Sequence, residues 1–146
     1  MGNLRELYQE MILDHQKNPR HHYALSHPTS QANGFNRLCG DRLTVYLKIK
    51  DQLIQDISFV GCGCAISQAS ASLMTEALHG LHVPEAQHVF EDFHAMLTNN
   101  EAQPVTGKLS VLSGVRLVPA RVKCATLAWH TMIAALKNES TTVVTE

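Results

Sequence analysis

The sequence predicts an α+β domain: a small antiparallel sheet of about three strands packed against several helices. Three observations predict it. Leu43, Val45, Leu47 and Ile49 alternate with Thr44, Tyr46, Lys48 and Lys50, the period of two of a half-buried strand. A second apolar run, Leu53 to Val60, follows after only Lys50-Asp51-Gln52, and so short a connection makes the pair antiparallel. Around this pair, apolar residues recur at helical spacing.

The elements follow in order. Asn3 to His15 reads as a helix, with Leu4, Leu7, Tyr8, Met11 and Ile12 on one stripe. Asn3 and Glu6 have capping-box spacing, and Asn18-Pro19 stops the helix because the residue before proline avoids helical angles. His21 to Arg37 is rich in His, Ser, Asn and Gly and reads as a loop, with room for one short edge strand. The two strands come next, with Ile57 and Phe59 sharing a face. Gly61-Cys62-Gly63-Cys64 breaks the second strand. Ala65 to His79 is a helix closed by Gly80. Its small residues Ser67, Ala69, Ser70, Ala71 and Ser72 let a neighbouring element approach closely. Pro84 to Leu97 is a helix with Pro84 in its first turn and Val89, Phe90, Phe93 and Leu97 inward. Thr98 to Gly107 reads as loop and Leu109 to Gly114 as one helical turn. Pro119 opens the last helix, Ala120 to Leu136, whose core residues are Trp129, Met132 and Ile133. Residues 1–137 are expected to form a single domain and 138–146 a flexible polar tail.

Composition narrows the function classes. A chain of 146 residues suits one domain, and 45% hydrophobic residues is an ordinary globular share. Twelve basic residues against 13 acidic ones, a net of −1, leave no electrostatic footprint for nucleic acid or an anionic membrane. No apolar stretch nears the roughly 18 residues of a membrane span. The first fourteen residues carry Arg5, Glu6, Glu10 and Asp14, against a signal peptide. The expected location is therefore cytoplasmic, where thiols stay reduced, and four cysteines there are not a disulfide framework.

Those cysteines sit at element ends. Cys39 precedes the first strand pattern, Cys62 and Cys64 occupy the glycine-rich turn, and Cys124 lies early in the last helix. Zinc takes four tetrahedral ligands from Cys, His and carboxylate. Cys39, Asp41 and Cys124 with either Cys62 or Cys64 would supply three sulfurs and one oxygen. Arg121 and Lys123 flank Cys124 and would offset part of the negative charge; a nearby cation also lowers a thiol pKa. Against this stands the plain alternative of buried cysteines as small apolar filler, with Asp41 a turn residue and Arg121 and Lys123 a solvated face. His21, His22, His27, His79, His82, His88, His94 and His130 show no ligand pairing and read as surface or loop residues.

Three motifs carry a resemblance. Cys39-Gly40-Asp41-Arg42, then Gly63-Cys64-Ala65-Ile66-Ser67 with Ala69-Ser70-Ala71-Ser72, then Pro119-Ala120-Arg121-Val122-Lys123-Cys124-Ala125-Thr126-Leu127 stand in the order of the IscU/NifU N-terminal family of iron–sulfur cluster assembly proteins. Leu7-Tyr8 through Asp14-His15 and Lys17-Asn18-Pro19-Arg20 resemble its N-terminal helix and exit. Lys123, where IscU-type scaffolds place histidine, and the long segment between Cys64 and Cys124 resemble the SufU branch. Two features depart from the family pattern: this chain has Cys62 as well as Cys64, and Arg37 stands where a proline is common.

The SufU resemblance implies Zn²⁺ held by Cys39, Asp41, Cys64 and Cys124, with Cys62 the alternative ligand or a spare thiol. It implies a SufS-type, pyridoxal-phosphate cysteine desulfurase as partner, Cys39 as the acceptor of persulfide sulfur, and Arg121 as a residue steering partner or sulfur. Sulfur would pass on to downstream iron–sulfur scaffold or acceptor proteins. The family suggests a monomer or weak dimer. The competing reading is a scaffold that builds a transient [2Fe–2S] cluster on the same cysteines; a third is a non-enzymatic zinc module. The resemblance also implies that zinc organises the site and is partly released from Cys39 when the complex forms; Asp41 suits a site that opens, since a carboxylate ligand is more labile than a fourth thiolate.

Overall fold

A computed structural model describes residues 4–99, 107–138 and 142–145. Helix α1 (Leu4–Lys17) is followed by strands β1 (Ser30–Asn36), β2 (Asp41–Lys50) and β3 (Leu53–Cys62), then α2 (Ala65–Leu78) and α3 (Val83–Thr98). A 3-10 helix (Gly107–Leu117), α4 (Pro119–Leu136) and the two-residue β4 (Val143–Val144) complete the order. The Asn3 cap and most of the loop expected at Thr98 to Gly107 lie outside the described residues.

The sheet runs β3-β2-β1-β4. β1 and β2 are antiparallel, closing at the pair Asn36 and Asp41. β2 and β3 are antiparallel from Arg42 opposite Cys62 to Lys50 opposite Leu53. Asp51 and Gln52 join them with φ of 52° and 65°; two left-handed residues in a row give a turn whose twist matches that of the strands. Parallel pairing of β4 with Gly34 and Phe35 adds a fourth strand from within the polar tail.

The helices cover one face. Leu43, Val45, Leu47, Ile57 and Phe59 point from the strands into a core shared with Leu127, Ala128, Trp129 and Met132 of α4. Phe93 of α3 stacks on Trp129, ring centres 4.4 Å apart. α4 lies across β1 and β2, α2 beside α4, and α1 on α2. The small residues of α2 permit this: Ser70 Oγ donates to the Ala125 carbonyl at 2.5 Å and accepts from Trp129 Nε1 at 3.1 Å.

Two elements differ from expectation. The stretch read as loop contains β1, seven residues long and internal to the sheet. Its inward residues are Ala32, Gly34 and Asn36, so small because a Cβ at Gly34 would collide with Thr131 of α4. The single turn expected near Leu109 is an eleven-residue 3-10 helix that buries Leu109, Val111, Leu112 and Val115.

Candidate metal centre

Three parts of the chain converge at one end of the sheet. The β1–β2 turn carries Cys39, and Asp41 begins β2. Cys64 is the N-cap of α2, with extended backbone and its Sγ accepting from the Ser67 amide at 3.5 Å. Cys124 lies on α4, fully buried. One ligand atom from each of Cys39, Asp41, Cys64 and Cys124 falls within 4.8 Å of all the others. The Cys39 and Cys124 sulfurs stand 2.8 Å apart, with neither cysteine in a disulfide.

Asp41 is fully buried. Its Oδ1 accepts from the Cys64 amide at 2.8 Å, and its Oδ2 lies 3.9 Å from Cys64 Sγ. One carboxylate oxygen thus anchors the α2 N-terminus and the other faces the sulfurs. Gly63 makes the approach possible, because a Cβ there would collide with Asp41 Oδ1. Asn36, also buried, places its amide nitrogen 3.6 Å from Cys124 Sγ. Burial, followed by the Cys39 contact and the negative charge of Cys64 and Asp41, pushes the Cys124 thiol far above its ordinary pKa. Without a cation, that sulfur keeps its proton.

The donor set suits zinc. Four ligands at about 2.3 Å around a tetrahedral ion would stand about 3.8 Å apart; small side-chain motions bring the wider separations, up to 4.8 Å, in to that figure and open the 2.8 Å Cys39–Cys124 pair out to it. Three soft sulfurs and one oxygen match a thiolate-rich zinc or iron site and would poorly suit calcium or magnesium.

The other expected residues fall outside the group. Cys62 is exposed, on β3 opposite Arg42. Arg121 is exposed on the first turn of α4, and Lys123 is half-buried. His130 is not a surface residue: it is half-buried between α3 and α4, 5.4 Å from the His94 ring and 5.5 Å from Phe90. His15 is buried, with Nδ1 2.7 Å from Ser72 Oγ. Asn36 is legible in the sequence as the asparagine that precedes the Cys39-Gly40-Asp41 motif, followed here by Arg37 where a proline is common; nothing in its spacing signals a contact with Cys124.

Among the described residues, no helix is long and apolar enough to cross a membrane.

Comparison with known proteins agrees with the geometry. The family model for the NifU-like N terminal domain matches residues 7–144. The iron–sulfur cluster assembly scaffold protein IscU of Thermotoga maritima is 40% identical over 137 residues, covering 92% of this chain and 95% of that protein. The zinc-dependent sulfurtransferase SufU of Bacillus subtilis is 37% identical over 140 residues, covering 94% and 95%. The crystal structure of a protein assigned as a SUF-system scaffold from Fervidobacterium islandicum superposes with a TM-score of 0.84 at 33% identity, covering 92% of this chain and 99% of that one. The chain therefore belongs to the NifU-like N-terminal domain family, with relatives of both the IscU and the SufU type.

Proposed function

We propose that this protein serves iron–sulfur cluster assembly as a zinc-dependent sulfur acceptor that takes persulfide sulfur from a cysteine desulfurase onto Cys39. One observation carries the reading: Cys39, Asp41, Cys64 and Cys124 gather their ligand atoms within 4.8 Å at a partly open end of the fold. These four would hold the ion, and Zn²⁺, when bound, would keep their sulfurs deprotonated near neutral pH. The naming of the Bacillus subtilis relative as zinc-dependent supports the choice of metal.

The chain's own residues assign the roles. Cys124 is sealed in the core, while Cys39 and Cys64 are both partly exposed; Cys64 is tied down as the N-cap of α2, so Cys39, on its turn, is the sulfur free to meet a partner. Its thiolate attacks the outer sulfur of the desulfurase persulfide. That S–S bond breaks, the donor cysteine leaves as a thiolate, and a new S–S bond forms on Cys39, with no net change of oxidation state. Arg121, exposed one turn before Cys124, supplies positive charge at the rim toward the incoming anionic sulfur.

A second reading, scaffolding of a [2Fe–2S] cluster as cargo, is favoured by the scaffold naming of the Thermotoga maritima relative. Metal analysis of the purified protein, joined to a desulfurase assay with and without it, separates the two. About one zinc per chain and a strong rise in sulfide release support the acceptor reading. Iron with acid-labile sulfide and little stimulation would replace it with the scaffold. Within the assay, Cys39→Ala should abolish stimulation, whereas His79→Ala, His82→Ala and His94→Ala should retain it; equal loss in both sets would overturn the roles.

A further inference from the structure

Asn36 is polar yet has no exposed surface, and both ends of its side chain are engaged. It closes β1, where strand alternation turns its side chain inward like Ala32 and Gly34. Its Oδ1 accepts from the Leu38 amide at 3.1 Å, the residue next to Cys39. Its Nδ2 lies 3.6 Å from Cys124 Sγ. The orientation of the amide is dictated by chemistry: the Leu38 N–H needs an acceptor, which leaves the NH₂ group facing the sulfur. One side chain therefore fixes the turn that carries Cys39 and ties that turn to the helix that carries Cys124. The two sulfurs so joined stand 2.8 Å apart.

We propose that Asn36 is the positioning residue of this centre: it holds Cys39 against Cys124, donates an N–H to the Cys124 sulfur, and thereby sets how tightly the four ligands grip a metal ion. The inference rests on the metal-binding reading above. Groups that hydrogen-bond to ligating atoms fix their orientation, and their removal typically costs about 10–100-fold in affinity.

The test uses Asn36→Asp and Asn36→Ser in the full chain. Aspartate keeps the shape and the acceptor for Leu38 but has no N–H for the sulfur. Serine still accepts from Leu38 and is too short to reach Cys124. Three quantities are read: Zn²⁺ affinity by competition with a chromophoric chelator, the melting temperature of the metal-free protein, and the rate of Cys39 alkylation without metal. Zinc affinity should fall roughly 10–100-fold in both variants, while at least one melts, metal-free, within a few degrees of the parent. Thiolate-to-metal charge-transfer bands of the Co²⁺-loaded variants should shift. A folded variant that holds zinc as tightly as the parent overturns the role of Asn36 and leaves the metal site standing. If the parent itself takes up no zinc, the metal reading fails, and alkylation decides the rest: faster reaction of Cys39 in both variants supports the hold on the turn, and unchanged rates overturn it.

Discussion

Replacing Gly63 with alanine perturbs the centre through one added methyl group. Gly63 has no left-handed backbone angle, so alanine meets no conformational objection there. The objection is spatial. The new Cβ would collide with Asp41 Oδ1 while also lying 3.0 Å from Asp41 Cγ and 3.1 Å from its Cα. Asp41 cannot yield cheaply, since it is fully buried and its Oδ1 holds the Cys64 amide at 2.8 Å. Either the carboxylate rotates or the turn backs away, and both break that bond. Leaving a buried polar group short of a partner costs about 1–3 kcal/mol, which in a chain of this length lowers the melting temperature by roughly 3–9 °C. The same motion displaces a ligand, so zinc affinity should fall at least about tenfold. Gly40→Ala is the control. Gly40 has φ of +71° with nothing within 4 Å of an added Cβ, so its cost is backbone strain of about 1–2 kcal/mol without a push on Asp41. Thermal melts and chelator competition on both variants check this. A Gly63→Ala protein that binds zinc like the parent, or a Gly40→Ala protein that loses more affinity than Gly63→Ala, would refute the steric reasoning.

Gly34→Ala should destabilise the fold by about 1–3 kcal/mol, because the added methyl meets Thr131 Oγ1 and lies 3.1 Å from Leu127 Cδ1; an unchanged urea midpoint would show that α4 is not pressed on β1. Ser70→Ala should cost a similar amount by leaving the buried Trp129 Nε1 without its acceptor, and a loss below about 0.5 kcal/mol in urea melts would contradict it. His15 and His130 should make stability fall in mild acid. Burial holds both imidazoles below the ordinary 6.5, reinforced at His15 by Arg20 and at His130 by His94, while Glu76 and Asp14 partly oppose the shift at His15. The folded state therefore binds fewer protons than the unfolded one. The stability involved is intact above about pH 6.5, erodes below it, and is gone once pH has fallen past the lowered folded values, with at most about 1.4 kcal/mol per pH unit from each group. Metal-free melts between pH 7 and 5 check this, and an undiminished slope in the double variant His15→Gln, His130→Gln would refute it.

How much of this was legible in the sequence depended on how each element earns its place. The β2–β3 hairpin showed itself because its inward residues are large and apolar, and α1, α2, α3 and α4 because their periodicity runs for three turns or more. β1 stayed hidden for a physical reason. Ser30-Gln31-Ala32-Asn33-Gly34-Phe35-Asn36 has few residues that favour strands, yet it lies under α4, and closeness to α4 is what excludes larger side chains at Gly34. β4 was hidden because two valines in a polar tail carry no period. At the site, the residue types were legible and the choice between Cys62 and Cys64 was not. Spacing of two puts both in the same turn; the bond from the Cys64 amide to Asp41 and the pairing of Cys62 opposite Arg42 on the strand arise from the tertiary fold.

The restraint on each ligand bears on two expectations about the centre: release at Cys39, which the SufU resemblance implies, and lability of the carboxylate. Asp41, however, is fully buried and tied to the Cys64 amide, and Gly63 presses its backbone against it. Cys64 is fixed as the cap of a fourteen-residue helix, and Cys124 is buried with Asn36 on its sulfur. Cys39 is different: it sits on a turn, partly exposed, and its sulfur contacts that of Cys124. Moving Cys39 outward gives up its contact with the Cys124 sulfur, whereas moving Asp41 would leave the Cys64 amide without its acceptor and strand a buried carboxylate. These restraints favour opening of the centre at Cys39, partly exposed on its turn, with the other three ligands kept in place. An acceptor thiolate needs that combination: freedom to meet an incoming persulfide, and a fixed frame to return to.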